Sequence, residues 1–146
     1  MREMTGNIWD NHCLLSGHIL AITTNGMINN QNEAIMGRGI ALDAKKRFPW
    51  VPSTLGRMLT NNGNHVHYLG SNLISFPTKN DWRDKSDINL ICRSCHELMY
   101  LKALYQWKWV ILPKPGCANG GLTWEEVKPI IFPILDDNVY VISRGG

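Results

Sequence analysis

Charge is scarce in this chain. Only 18% of its 146 residues are Asp, Glu, Lys or Arg, below the roughly 25% of an ordinary soluble domain. Lys and Arg number 15 and Asp and Glu 12, a formal net charge of +3. A nucleic-acid binder carries a concentrated basic face, so strong sequence-specific nucleic-acid binding is not expected. Cysteine is scarce as well: four residues fall far short of a disulfide scaffold. Long apolar runs are missing. None approaches the roughly 18 residues of a membrane span, so no membrane role is expected. Residues Met1 to Asn7 hold one Arg and no apolar core, so no secretory signal is expected. The cytoplasm is then the default compartment, where cysteines stay reduced. Apolar residues, in contrast, are plentiful at 44%, with six Trp among them. That composition excludes a disordered chain. A chain of this length buries roughly 68% of its unfolded surface. No repeat, linker or low-complexity run interrupts it, so one domain is expected over residues 1–146.

Short apolar runs punctuated by turn residues mark strands. Ile19 to Thr24 is such a run, closed by Asn25-Gly26. Val66 to Gly70, Leu73 to Pro77, Trp109 to Leu112 and Val139 to Ile142 read the same way. Helical periods lie between them. Ile40, Ala44 and Phe48 recur every four residues and stop at Pro49. Ile88, Ile91, Cys92, Cys95, Leu98 and Met99 predict a long helix from about Asp87 to Gln106. Thr123 and Glu126 have the spacing of a capping box. Val127, Ile130, Ile131 and Ile134 would form the buried face of the helix that follows, shortened by Pro129 and Pro133. Strands without alternation, separated by helices, predict a sheet covered on both faces. Gly70-Ser71-Asn72 allows one tight antiparallel pair. The expected fold is therefore a three-layer α/β/α sandwich with a mixed central sheet.

Several segments carry chemistry. Met36-Gly37-Arg38-Gly39-Ile40-Ala41 opens the first helix with a glycine pair, which lets backbone approach a ligand and offers free N–H groups to an anion. Pro115-Gly116-Cys117-Ala118-Asn119-Gly120-Gly121 is a second glycine-rich strand-to-helix junction. Two such loops at the carboxyl edge of one sheet suit a diphosphate. Amides alone suffice for that, so no basic patch is required. Thr24-Asn25-Gly26 ends a buried strand at the same edge. There the Asn25 amide suits sugar hydroxyls, although Asn-Gly is also a common turn pair. Lys79 follows another strand end, and Trp82 beside it is a candidate for stacking on a substrate. Cys92-Arg93-Ser94-Cys95-His96 has the spacing of a haem attachment site. However, Cys92 and Cys95 fall on the apolar stripe of the long helix, where Cys packs as a small hydrophobe. His12, Cys13, His18 and Cys117 match no ligand spacing, so no metal or cofactor is expected. Lys45-Lys46-Arg47 reads as a solvated face.

Taken in order, these segments resemble the macro domain, an ADP-ribose-binding α/β/α module. Gly6-Asn7-Ile8, Thr23-Thr24-Asn25-Gly26, Met36 to Ala41, Phe76-Pro77-Thr78-Lys79 and Gly116 to Trp124 carry the resemblance across nearly the whole chain. It is greatest to the branch holding the DarG antitoxin macro domain and the terminal ADP-ribose protein glycohydrolase. The resemblance implies that Asn7 and Ile8 lie near the adenine and that Asn25 binds the distal ribose. It implies that Gly37, Arg38, Gly39, Ile40 and Ala41, with Gly116, Cys117, Ala118, Asn119, Gly120 and Gly121, wrap the diphosphate. It places Lys79 at the catalytic lysine, as acid or nucleophile at the anomeric carbon.

Two departures bear on activity. Gly120 stands where the protein glycohydrolase has its catalytic acid. The DarG pattern, which removes ADP-ribose from a thymine base, lacks that acid and fits better. Met27 to Ile35 forms an Asn-rich insert relative to DarG, next to the expected distal ribose. The expectation is a monomeric hydrolase of ADP-ribose linked to a macromolecule. The alternatives are a phosphatase of ADP-ribose 1″-phosphate and a non-catalytic binder of ADP-ribose-type nucleotides. For the phosphatase, no clear nucleophile or base stands near the loops.

Overall fold

The computed structural model describes residues 1–10 and 17–144. His12 and Cys13 lie outside them. Six strands form one sheet: β1 (Arg2–Thr5), β2 (Ile19–Thr24), β3 (Tyr68–Gly70), β4 (Leu73–Pro77), β5 (Val110–Pro113) and β6 (Val139–Ser143). Their spatial order is β1-β6-β5-β2-β4-β3. Every neighbouring pair is parallel except β3 with β4, which is antiparallel. The sheet is therefore mixed, with its one antiparallel strand at an edge next to the Gly70-Ser71-Asn72 turn.

Four helices among the described residues cover it: α1 (Gly39–Arg47), α2 (Val51–Asn62), α3 (Ile88–Leu104) and α4 (Trp124–Ile131). The pleat of β2 assigns the layers. Leu20 and Ile22 pack with Ala41, Ala44, Val51 and Leu55 of α1 and α2. Ile19 and Ala21 pack with Ile91, Cys95, Leu98, Val127 and Ile131 of α3 and α4. Successive side chains of a strand face opposite ways, so a strand buried on both faces shows no alternation. The fold is the expected α/β/α sandwich. Leu20 and Ile22 are fully buried, and truncating such a side chain to Ala costs about 2–5 kcal/mol.

Local chemistry sets the helix ends. Pro49 bars the α conformation at Phe48, which sits at φ −131°, ψ 81° and ends α1. Asp87 accepts from the Asn89 and Leu90 amides at 2.9 and 3.3 Å and starts α3. The Thr123–Glu126 capping box starts α4. Ile130, expected in the core, is 39% exposed. Val127 and Ile131 fill the buried face of α4, and Ile134 packs against the core past the helix end, so Ile130 lies off that face.

Two elements escaped the sequence reading. β1 is exposed throughout, with Met4 its single apolar residue. As an edge strand paired only with β6, it has no buried face to impose a pattern. α2 does carry Val51, Leu55, Met58 and Leu59 at helical spacing, with Pro52 and Gly56 obscuring it. Pro is tolerated in a first turn. Gly56 is required because a Cβ there would lie 2.0 Å from the Asn32 carbonyl oxygen. That contact docks the Asn-rich insert on α2.

Candidate functional site

Five parallel strands end on the same edge of the sheet. At its centre the chain leaves β2 toward β4 and β3 but leaves β5 toward β6. Connections that diverge in this way open a crevice at the carboxyl edge. A cleft of about 800 Å³ lies there. Gly6, Ile8 and Ile142 bound it at the β1–β6 end, and Thr78, Lys79 and Trp82 bound it beyond β4. The two glycine loops meet between these ends: a Cβ on Gly39 would lie 2.9 Å from the Asn119 Nδ2.

The cleft gathers Ile8, Thr24, Asn25, Gly37, Arg38, Gly39, Ile40, Ala41, Lys79, Gly116, Cys117, Ala118, Asn119 and Gly120, all nominated from the sequence. Asn7 and Gly121 do not line it. The Asn7 side chain turns back, its Oδ1 accepting from the Trp9 amide at 2.9 Å. Gly121 leads the chain out into the capping box of α4, and a Cβ there would face the Lys85 stem.

The amides differ between the loops. The N-cap of α1 is Arg38, in extended conformation and with no side-chain hydrogen bond to the first turn. Gly39, at φ +56°, turns the chain into the helix. The first-turn N–H groups of α1 therefore face the cleft unclaimed, a ready anion site. The capping box of α4 claims the Thr123 and Glu126 amides, and no residue of α4 lines the cleft. The second loop offers instead the amides of Ala118, Asn119 and Gly120, which have no backbone partner among the described residues.

Side-chain charge adds to the backbone. Arg38, Lys79, Lys114 and Arg144 line the cleft against a single carboxylate, Asp43. The sequence had pointed to amides alone. Scattered along the chain, these cations converge only in the fold. Lys114 lies 5.1 Å from the Trp124 ring. That indole donates to Glu3 at 2.9 Å, while Lys128 pairs with Glu3 at 2.7 Å. The Lys128 hydrogen bond, aided by Trp124, holds the Glu3 carboxyl below its ordinary range.

Lys79 is half-buried at the β4 end. Its ammonium donates to the Asn119 carbonyl at 3.3 Å and the Trp82 carbonyl at 3.5 Å. Both acceptors are neutral, so its charge is left for a ligand. Asn25 spends half its capacity on the insert: Nδ2 donates to the Ile35 carbonyl and Oδ1 accepts from the Met27 amide, both at 2.9 Å. One N–H and one lone pair remain. The insert, braced there and on α2, gives the cleft only Ile35.

Gly120 has no room for a side chain. A Cβ would lie 2.2 Å from the Ser86 Oγ and 2.4 Å from the Gly116 carbonyl oxygen. The Ser86 amide also donates to the Gly120 carbonyl at 2.8 Å. Packing thus excludes an acid at this position. Two of the described cysteines, Cys95 and Cys117, lie in unreactive surroundings. Burial pushes the Cys95 thiol up to about 12, and burial also raises Cys117. No cluster of His, Cys, Asp and Glu suited to a metal occurs among the described residues.

No family model matches the chain. It is 30% identical over 149 aligned residues to a DNA ADP-ribosyl glycohydrolase of Mycobacterium tuberculosis, covering 90% of this chain and 42% of that protein. It is 27% identical over 135 to one of Thermus aquaticus, covering 82% and 36%. The chain thus spans under half the length of these curated relatives. Among solved structures, the macrodomain of Thermus aquaticus DarG superposes with a TM-score of 0.79 at 25% identity, covering 99% of this chain and 97% of that one. The Mycobacterium tuberculosis DarG macrodomain gives 0.80 at 24%, with the same coverage. A Thermosipho africanus DarTG in complex with ADP-ribose gives 0.75 at 19%, covering 97% and 41%.

With two glycine loops over its switch-point cleft and this superposition over 99% of its length, the chain has the macro-domain fold. Within that class its similarity is to the macro domains of DarG.

Proposed function

We propose that the cleft binds ADP-ribose and hydrolyses the bond joining its terminal ribose to a macromolecule, DNA foremost. The supporting observation is the order of groups along the cleft. Apolar Ile8 and Ile142 suit the adenine at one end. Unclaimed amides of α1 and the second loop suit the diphosphate in the middle. Asn25 and Lys79 suit the distal ribose at the other end. The relatives named as DNA ADP-ribosyl glycohydrolases favour a base acceptor. The packing that excludes an acid at Gly120 disfavours the two-residue protein glycohydrolase mechanism.

Hydrolysis breaks the bond from the anomeric carbon to the acceptor atom, and the electron pair leaves with the acceptor. Water bonds to the anomeric carbon and gives up a proton, and the acceptor takes one. As an ammonium, Lys79 stabilises or protonates the leaving atom. As a free amine it attacks the ring-opened sugar, and borohydride trapping of an imine distinguishes the two routes. We place the protein in the cytoplasm as a monomer that acts without metal or cofactor. No helix among the described residues is long and apolar enough to cross a membrane.

The test is turnover of an ADP-ribosylated oligonucleotide by wild type and Lys79→Ala. Loss of a general acid lowers the rate by about 10²–10⁴-fold, with ADP-ribose affinity nearly kept. Equal rates overturn the assigned role. Micromolar binding without turnover of ADP-ribosylated DNA, ADP-ribosylated protein or ADP-ribose 1″-phosphate favours the non-catalytic binder.

A further inference from the structure

Trp82 is the one aromatic side chain lining the cleft among the described residues. Its indole is 42% exposed. It stands beyond β4, where the Lys79 ammonium bridges the Trp82 carbonyl and the Asn119 carbonyl of the second glycine loop. The backbone there is fixed on several sides. The Trp82 carbonyl accepts from the Lys79 ammonium at 3.5 Å. Asp81 grips Arg83 through two oxygens, at 3.0 and 2.6 Å. The same carboxylate accepts from the Arg83 amide at 2.9 Å, and the Asp84 amide closes onto the Asp81 carbonyl at 3.1 Å. Arg83, chiefly by hydrogen bonding, holds the Asp81 carboxyl down at about 2. The clasp therefore stays ionised through the neutral range. It places the Arg83 guanidinium 6.0 Å from the Trp82 ring.

An indole carried on backbone already fixed at a cleft mouth has less freedom to lose on binding, which favours affinity. The direction matters equally. A nucleotide laid along the cleft with its distal ribose at Lys79 sends its anomeric substituent outward past that lysine. Trp82 is the aromatic side chain that lines the cleft beside it. A planar heteroaromatic substituent gains from stacking on it, and a carboxylate ester does not.

Resting on the function proposed above, we infer that Trp82 is the platform on which the acceptor base of a nucleic-acid strand stacks while Lys79 acts at the sugar. The clasped Arg83 lies near the same ring for the adjoining phosphate. Trp82 is then a specificity-determining residue for nucleic-acid over protein acceptors, distinct from the groups that hold ADP-ribose itself.

The test measures dissociation constants in a Lys79→Ala background, which keeps the substrate intact. The ligands are an ADP-ribosylated single-stranded oligonucleotide, an ADP-ribosylated glutamyl peptide and free ADP-ribose. Adding Trp82→Ala is expected to weaken the oligonucleotide by about tenfold or more, the range of one base–aromatic stack. The peptide and free ADP-ribose stay unchanged, and Trp82→Phe restores most of the oligonucleotide affinity. Unchanged oligonucleotide binding overturns the platform and leaves the ADP-ribose reading standing. An equal loss on all three ligands also overturns it and assigns Trp82 to the ADP-ribose moiety. Absence of ADP-ribose binding in the Lys79→Ala background and in wild type overturns the underlying reading, and the platform with it.

Discussion

Two helices follow the glycine loops of one cleft, and they treat their free amides in opposite ways. α4 caps itself: Thr123 accepts from the Glu126 amide and the Glu126 carboxylate accepts from the Thr123 amide. α1 leaves its first turn without a side-chain cap, and Arg38 stands where a Ser or Asp would stabilise the helix. A capping residue contributes about 1 kcal/mol. α1 forgoes that at the point where the cleft lies against it, and α4 keeps it where the chain has already turned away. Stability and ligand binding compete for the same N–H groups, and each helix resolves the competition according to its distance from the cleft.

Substitutions in the two regions break this contrast in order of effect. Gly39→Glu places a carboxylate in the anion site. ADP-ribose affinity should fall by about 100-fold or more, since like charges in contact cost several kcal/mol. Stability should fall by only about 1 kcal/mol, the cost of a left-handed non-glycine residue. Arg38→Ser gives α1 the cap it lacks. Isothermal titration should show binding weakened by about tenfold, the loss of one charge-assisted hydrogen bond, while the melting temperature rises. Thr123→Ala is the mirror case. Thermal unfolding should show about 1 kcal/mol of lost stability with ADP-ribose affinity unchanged. A change in affinity there would show that α4 takes part in the anion site after all.

Much of this arrangement was legible in the sequence, because it is local. Caps, glycine pairs and Pro-terminated helices depend on neighbours within a few residues. Thr123 with Glu126, and Phe48 before Pro49, could be read directly. The layers were legible too, since β2 and β4 are buried on both faces and show unbroken apolar runs. β1 was not, because an exposed edge strand needs no pattern. The site was legible as segments but not as geometry. Which helix is left uncapped, that Lys114 and Arg144 join Arg38 and Lys79, and that Ser86 fills the space beside Gly120 are facts of tertiary contact. Asn7 shows the converse: a residue within a motif segment spends its side-chain Oδ1 on a local turn.

Calorimetric titration of the wild-type protein with ADP-ribose tests the central claim most directly. One site per chain and a micromolar dissociation constant, abolished by Gly39→Glu, is the expected result. Absence of saturable binding at millimolar ADP-ribose would contradict it.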